Sequence, residues 1–414
     1  MTTEDLSFVI VGHVDHGKST FIGRLLHDTN SLNTDRLEEL KAACFALGRE
    51  LEFSFITDHL QEEREQNVTI DTTQIKFKTD KRNYTIIDAP GHKEFLKNML
   101  TGASQAEAAV LLVDAHEGIQ EQTKRHATLL HLLGVRQMMV LLNKMDLIEF
   151  RQERFDQLKT ELLQFLKTIG IMPAHVIPLV AKDGDNCVLR SERMNWYTGA
   201  TFLDALDQFT CKNDTAHKPL RYPIQDVYKI ADKRILVGRV ESGTICQGQE
   251  IVFLPSQKHT RVASIEVFGK TNKKEAAPGE SIGITLADPL FIERGEIACA
   301  IDAPPPIAKK IEAHAFWFSP HAFEKKDRIR LKLATQDVQC QVEKVDRIDS
   351  STLNTIEKDA TLLHTAEIGK FILVPEKPLV LEPFDQIEEL GRFVLEKDGE
   401  PCAGGIVVST HGTL

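Results

Sequence analysis

The sequence predicts an α/β fold, a mostly parallel sheet covered by helices on both faces, followed by two smaller β-rich segments. Three observations carry this. Near-continuous apolar strands alternate with longer amphipathic stretches through about residue 210. A glycine-rich loop of phosphate-binding pattern directly follows the first strand. Beyond a polar linker the pattern changes to short alternating segments punctuated by Gly and Pro.

The elements follow in order. Phe8-Val9-Ile10-Val11 is a short, largely β-branched strand, and Thr20-Phe21-Ile22-Gly23-Arg24-Leu25-Leu26 reads as a helix after the loop. Tyr84-Thr85-Ile86-Ile87, Ala109-Val110-Leu111-Leu112-Val113 and Met138-Met139-Val140-Leu141-Leu142 are further buried strands. Residues 120–133 and 151–169 carry apolar side chains at helical spacing between and after the last two. The polar run Lys212-Asn213-Asp214-Thr215-Ala216-His217-Lys218-Pro219 ends this pattern. Segments such as Ile235-Leu236-Val237-Gly238-Arg239-Val240 and Glu280-Ser281-Ile282-Gly283-Ile284-Thr285-Leu286 then read as antiparallel strands of a barrel or sandwich. A stiff break at Ala303-Pro304-Pro305-Pro306 precedes a second β-rich stretch. The expected domains are therefore 1–211, 219–304 and 307–414.

Composition limits the function classes. A chain of 414 residues has room for two to four domains and a sizeable core. No apolar run reaches the roughly 20 residues of a membrane span, and Met1-Thr2-Thr3-Glu4-Asp5 lacks the basic and apolar regions of a signal peptide. A cytoplasmic location without a membrane partner is the expectation. Seven scattered cysteines without C-x-x-C spacing suit buried thiols better than disulfides or a zinc site. A net charge of −11 argues against non-specific nucleic-acid binding and against DNA as a partner, while leaving room for a local basic patch.

The chemistry is concentrated in four motifs. Gly12-His13-Val14-Asp15-His16-Gly17-Lys18-Ser19 fits G-x-x-x-x-G-K-[ST], a loop whose peptide N–H groups wrap a polyphosphate while Lys18 reaches the outer phosphates. The following helix adds partial positive charge where the phosphates sit, so the chain binds a nucleoside triphosphate. Asn143-Lys144-Met145-Asp146 ends an apolar strand at the ligand-binding edge of the sheet. The Asp146 carboxylate can accept from both N1–H and the amino group of guanine. Adenine offers no such donor pair, and a carboxylate left unpaired is costly. Asn143 can bridge base and phosphate loop, and the Lys144 stem can pack on the ring. In Asp88-Ala89-Pro90-Gly91-His92, Asp88 can reach Mg²⁺ through water, Gly91 lets its peptide approach the γ-phosphate, and His92 can position the attacking water. In Arg64-Glu65-Gln66-Asn67-Val68-Thr69-Ile70-Asp71, the Thr69 hydroxyl can join Ser19 on Mg²⁺ and its N–H can bind the γ-phosphate.

These motifs, in this order, resemble the translation-factor class of GTPases, in particular the branch of elongation factor 1-alpha and the sulfate adenylyltransferase GTPase subunit. Supporting stretches include Asp58-His59-Leu60-Gln61-Glu62-Glu63-Arg64-Glu65, Trp196-Tyr197-Thr198-Gly199-Ala200-Thr201-Phe202-Leu203 and Gly238-Arg239-Val240-Glu241-Ser242-Gly243. The resemblance covers essentially the whole chain. It implies a P-loop GTPase domain followed by two antiparallel β-barrels, with GTP/GDP and Mg²⁺ as ligands. It also implies roles by position. Lys18 and the peptides of Asp15, His16, Gly17, Lys18, Ser19 and Thr20 would bind phosphates, Ser19 and Thr69 would bind Mg²⁺ directly, and Asp88 would act through water. His92 would orient the nucleophilic water behind a gate of Val14 and Val68. Asn143, Lys144 and Asp146 would read guanine, with the Ala181 peptide at its O6. Two positions depart from the family pattern: Asn67 stands where Gly is usual, and Val180-Ala181 replaces the usual Ser-Ala or Ser-Gly. Asn is the non-glycine residue that best tolerates positive φ, and Ala181 keeps the peptide donor.

The third segment bears on the branch. The Gly-Tyr-x-Pro stretch and His-Thr pair of elongation factor 1-alpha are not apparent, and Phe316-Trp317-Phe318-Ser319-Pro320 with Glu367-Ile368-Gly369-Lys370-Phe371 resembles the sulfate-activating subunits. Leu390-Gly391-Arg392-Phe393 is similar to elongation factors instead. The leading expectation is a GTPase that drives sulfate activation by a small adenylyltransferase subunit. The alternative is an elongation-factor-like carrier delivering aminoacyl-tRNA to the ribosome.

Overall fold

The computed structural model describes residues 5–31, 73–89, 106–135, 137–210, 214–230, 233–267, 270–352 and 354–412. The chain forms two compact units, one of Met1–Cys211 with Ser350–Thr352, the other of Lys212–Asp349 with Leu353–Leu414.

In the first unit six strands form one sheet: β1 (Asp5–Gly12), β2 (Thr73–Lys78), β3 (Asn83–Asp88), β4 (Ala108–Asp114), β5 (Gln137–Asn143) and β6 (His175–Pro178), ordered β2-β3-β1-β4-β5-β6. All neighbours run parallel except the β2–β3 hairpin. Every residue of β4 is buried, as expected for a central strand covered on both faces. Among the described residues the helices are α1 (Lys18–Asp28), α2 (Glu121–Leu132), α3 (Gln152–Thr168) and the short α4 (Phe202–Leu206). In α3 Phe155, Leu158, Leu162 and Leu166 form one buried stripe at helical spacing. In α2 the buried set also contains Gln122, Thr123, Arg125 and His126, so this helix turns polar groups inward. An aromatic cluster fixes the edge of the core: Phe8 meets Phe77, Tyr84 and Phe202, and Phe202 meets Phe21 edge-on at 4.7 Å.

The second unit holds two closed antiparallel barrels. In the first, Arg221–Ile230, Lys233–Arg239, Ser281–Leu286 and Lys258–Val267 pair in succession, and Glu250–Leu254 closes the circuit by pairing with both Lys258–Val267 and Ile297–Ala300. In the second, Ile329–Leu333 pairs with both Gln336–Asp349 and Arg392–Lys397, and the ring continues through Glu400–His411, Lys310–Trp317 and Glu367–Pro375. Closure removes the exposed edges that an open sheet would leave. Barrel, rather than sandwich, is thus the form these segments take. Tyr222 is fully buried in the first barrel, its hydroxyl lying 3.0 Å from Leu236 O and 2.7 Å from Ile282 O. The two barrels share apolar core, with Val252, Leu254, Ile297 and Cys299 packing into the cluster built around Trp317, Phe323 and Phe371. A buried ion pair spans them: Arg221 grips Glu382 through two hydrogen bonds of 2.7 and 2.8 Å.

Candidate guanine-nucleotide site

The phosphate loop leaves β1 at Gly12 and enters α1 at Lys18. Both flanking glycines are demanded by close approach. A Cβ on Gly12 would lie 2.5 Å from Leu112 O, and one on Gly17 would lie 2.6 Å from Asn143 Nδ2. Gly17 also has φ +90°, and Asp15 adopts φ 62°, so the loop uses left-handed backbone at two points to turn its peptides. Lys18 is buried, its Nζ donating to Gly12 O at 3.1 Å and His13 O at 3.3 Å. Burial pushes its pKa down, while Asp88 and Asp15 oppose that shift. Ser19 and Thr20 occupy the first turn of α1, where backbone N–H groups lack helical partners.

Asp88 closes β3, pairing in register with Ile10 of β1, and is 2% exposed. Its carboxylate and the Ser19 hydroxyl are hard oxygen donors, the chemistry that suits Mg²⁺. Among the described residues no cluster of three His, Cys, Asp or Glu side chains could hold a metal alone. The remaining members assigned from sequence, Thr69, Gly91 and His92, lie outside the described residues, as do Asn67 and Val68.

The Asn143-Lys144-Met145-Asp146 motif is built where β5 ends. Asn143 is 2% exposed and uses both ends of its amide. Nδ2 donates to His16 O at 2.8 Å, and Oδ1 accepts from Ala181 N at 2.9 Å. The side chain therefore ties the phosphate loop to the loop after β6. Lys144 turns the chain through φ 61°, a conformation long side chains rarely adopt, and its Nζ reaches Asp114 Oδ2 at 2.8 Å. Asp146 stands on the next 3-10 turn, Met145–Ile148, with its side chain exposed. Ala181 is buried and its peptide proton is committed to Asn143, so in this geometry it orients Asn143.

Asp114 went unread in the sequence. It ends the apolar strand β4, is 1% exposed, and accepts from the peptides of His116 at 2.7 Å and Glu117 at 3.2 Å besides pairing with Lys144. Burial raises its pKa most, but the Lys144 ammonium and the two peptides outweigh it and hold the carboxyl below its ordinary value. A carboxylate at the C-terminal end of a fully apolar strand was the available signal.

The arrangement brings together a loop of left-handed turns at a helix N-terminus, the buried Lys18 ammonium and a buried asparagine that ties this loop to the one after β6, with Asp146 exposed nearby in sequence. Comparison with known proteins identifies the family. The elongation factor Tu GTP binding domain matches residues 4–212, elongation factor Tu domain 2 matches 233–299, and the GTP-eEF1A C-terminal domain-like family matches 310–408. Elongation factor 1-alpha of Pyrococcus furiosus is 38% identical over 418 residues, covering 98% of this chain and 97% of that protein. The protein of the same name from Methanocaldococcus jannaschii is 39% identical over 415 residues, covering 97% of each. Among solved structures, sup35 complexed with GDP aligns at 21% identity over 99% of this chain and 95% of that one, with a TM-score of 0.46. The relatives' names favour the carrier reading over the sulfate-activating one drawn from the third segment, for which these relatives give no support. Among the described residues no helix is long and apolar enough to cross a membrane. Matched along its whole length and in all three segments, the chain belongs to the elongation factor Tu/elongation factor 1-alpha family of translation-factor GTPases, which bind GTP and GDP with Mg²⁺.

Proposed function

We propose that this protein is a GTP-gated carrier that delivers aminoacyl-tRNA to the ribosome. Full-length similarity to proteins named elongation factor 1-alpha carries the reading. The surface of the first barrel supports it. Tyr228 and Ile230 are 50% and 61% exposed on the hairpin Arg221–Ile230/Lys233–Arg239. Across it Arg234 pairs with Lys229 and lies 4.8 Å from the ring centroid of Phe291, itself 73% exposed. Exposed rings beside cations suit the unstacked end of an RNA, where bases stack on aromatic and guanidinium planes. Such a local patch is compatible with an acidic chain.

In this reading Lys18 and the loop peptides would hold the phosphates, Ser19 and Thr69 would hold Mg²⁺ directly and Asp88 through water, and the ion would supply charge neutralisation at the phosphates. His92 positions the attacking water. Asp146 reads the base while Asn143 keeps the two loops in register. Intrinsic hydrolysis is slow, because a histidine-based site supplies no arginine finger of its own.

The test is binding of labelled aminoacyl-tRNA to the full chain with a non-hydrolysable GTP analogue or with GDP. The carrier reading expects tight binding with the analogue, weak binding with GDP, and hydrolysis stimulated by ribosomes. Absence of tRNA binding, with GTPase stimulation by ATP plus sulfate and an adenylyltransferase subunit, would restore the sulfate-activating reading.

A further inference from the structure

We propose that the imidazole of His16 is a positioning residue that takes the Asp114 N–H of the β1–β4 ladder where the phosphate loop departs, and so governs how long a guanine nucleotide is retained. This requires only guanine-nucleotide binding and is independent of the cargo. The register of β1 on β4 runs from Phe8↔Ala108 to Gly12↔Leu112. In a parallel ladder the next β1 residue would donate to Leu112 O and accept from Asp114 N. The chain instead swings into the phosphate loop, and the His16 ring occupies that rung. Its Nδ1 lies 3.3 Å from Leu112 O and 3.2 Å from Asp114 N. Its Nε2 lies 3.3 Å from Glu117 Oε2, and the residue is fully buried.

Chemistry selects among the ring's forms. A ring nitrogen can donate or accept, not both. The neutral form protonated on Nε2 donates to the Glu117 carboxylate and accepts the Asp114 N–H, satisfying two partners and leaving Leu112 O beside the Nδ1 lone pair. The opposite neutral form would set a bare Nε2 lone pair against that carboxylate. Burial lowers the pKa most, with His13 adding to that shift; the Leu112 carbonyl, Asp114 and Glu117 oppose it.

The contact also closes a ring of bonds around the site. Asn143 Nδ2 holds His16 O, Lys144 holds Asp114, and Asp114 holds the peptides of His116 and Glu117. Glu117 returns to the His16 ring. Phosphate loop and base-reading motif are thus joined twice, once through the His16 carbonyl and once through its side chain. Loosening the second link frees the loop to release diphosphate without touching groups that act on the γ-phosphate.

The experiment measures release of a fluorescent GDP from the full-length protein, alongside single-turnover hydrolysis of bound GTP. His16→Ala is expected to speed GDP release about tenfold or more, the range for a buried donor left without its acceptor. His16→Asn, whose amide oxygen can reach the Asp114 N–H, is expected to restore most of the retention. His16→Leu, which keeps packing alone, is not. Glu117→Ala, at a side chain 43% exposed, tests the Nε2 link without disturbing the core and is expected to speed release about threefold, with single-turnover hydrolysis changed less than about twofold. Equal release from the Asn and Leu variants, release unchanged in Glu117→Ala, or equal fold-changes in release and hydrolysis in Glu117→Ala would each overturn the proposal. If the His16 variants do not fold, the Glu117→Ala result decides.

Discussion

Asn143 donates its side-chain amide to the carbonyl oxygen of His16 at 2.8 Å, joining the end of β5 to the phosphate loop across 127 residues of sequence. Its carbonyl end accepts from Ala181 at 2.9 Å. Two of the loops that must act on opposite ends of one nucleotide are therefore held by a single buried side chain. A group spanning two loops transmits a displacement of either to the other, because an interior packed this tightly deforms little.

Gly17→Ala tests this junction. The added methyl would lie 2.6 Å from Asn143 Nδ2 at a backbone φ of +90°. Left-handed strain and a displaced amide together cost about 2–4 kcal/mol, so GDP affinity is expected to fall by about 30-fold to 1,000-fold. Equilibrium titration with a fluorescent GDP checks it, and an affinity within threefold of the parent would show that the junction does not control binding.

The buried Arg221–Glu382 pair tests how the barrels are held. Both side chains are below 10% exposed, and Arg221 also donates to Leu220 O and Ala303 O at 2.9 Å. Glu382→Leu leaves a buried guanidinium without its carboxylate and is expected to destabilise by about 3–5 kcal/mol. The double variant Arg221→Met/Glu382→Leu is expected to recover most of that loss. Denaturant unfolding of the four corners of this cycle measures the coupling, and additive effects would contradict it.

Two buried groups predict the acid limb of stability. His126 is fully buried; burial first, then the nearby cations and histidines Lys18, His13, Arg125 and His16, push its pKa from 6.5 to about 3. The unfolded chain therefore binds a proton that the folded chain refuses. The stabilising contribution is full above pH 6.5 and is lost as pH falls toward 3, by up to about 1.4 kcal/mol per pH unit. His126→Gln is expected to flatten the stability profile between pH 6.5 and 4. Asp114 acts lower: its carboxyl is held below the ordinary 3.8, so its contribution is complete above that value and disappears as pH falls through the lowered one. Asp114→Asn should leave the window above pH 4 unchanged in shape. Urea midpoints measured across this range separate the two groups, and parallel profiles for His126→Gln and the parent would refute the assignment.

Much of this organisation was legible in the sequence because the deciding forces are local. The strands β1, β3, β4 and β5 are apolar runs, and each extends by one to four residues beyond its apolar centre, as β1 does from Phe8-Val9-Ile10-Val11 to Asp5–Gly12. The helices expected over 120–133 and 151–169 lie at Glu121–Leu132 and Gln152–Thr168, fixed by their periodicity. Gly12 and Gly17 stand where neighbouring atoms leave no room for a Cβ, and Asn143 bonds to the same loop. What was not legible depends on side chains meeting across the sheet. The antiparallel strand Thr73–Lys78 has an alternating edge pattern with little apolar signal. The pairing of Lys144 with Asp114 and the seating of His16 between Leu112 and Asp114 need the register of β4 against its neighbours. Nor does spacing reveal that α2 would bury His126 and Arg125, since polar side chains on an amphipathic helix are read as outward.

Guanine readout by Asp146 is the central claim, and the most direct measurement is calorimetric titration of the full chain with GDP and with ADP, repeated on Asp146→Asn. A carboxylate placed to accept two donors from guanine, and left unpaired by adenine, predicts a preference for GDP of about 10⁴-fold. In Asp146→Asn the preference should collapse by at least about a hundredfold. Binding of ADP within tenfold of GDP, or an unaltered preference in the variant, would contradict the account.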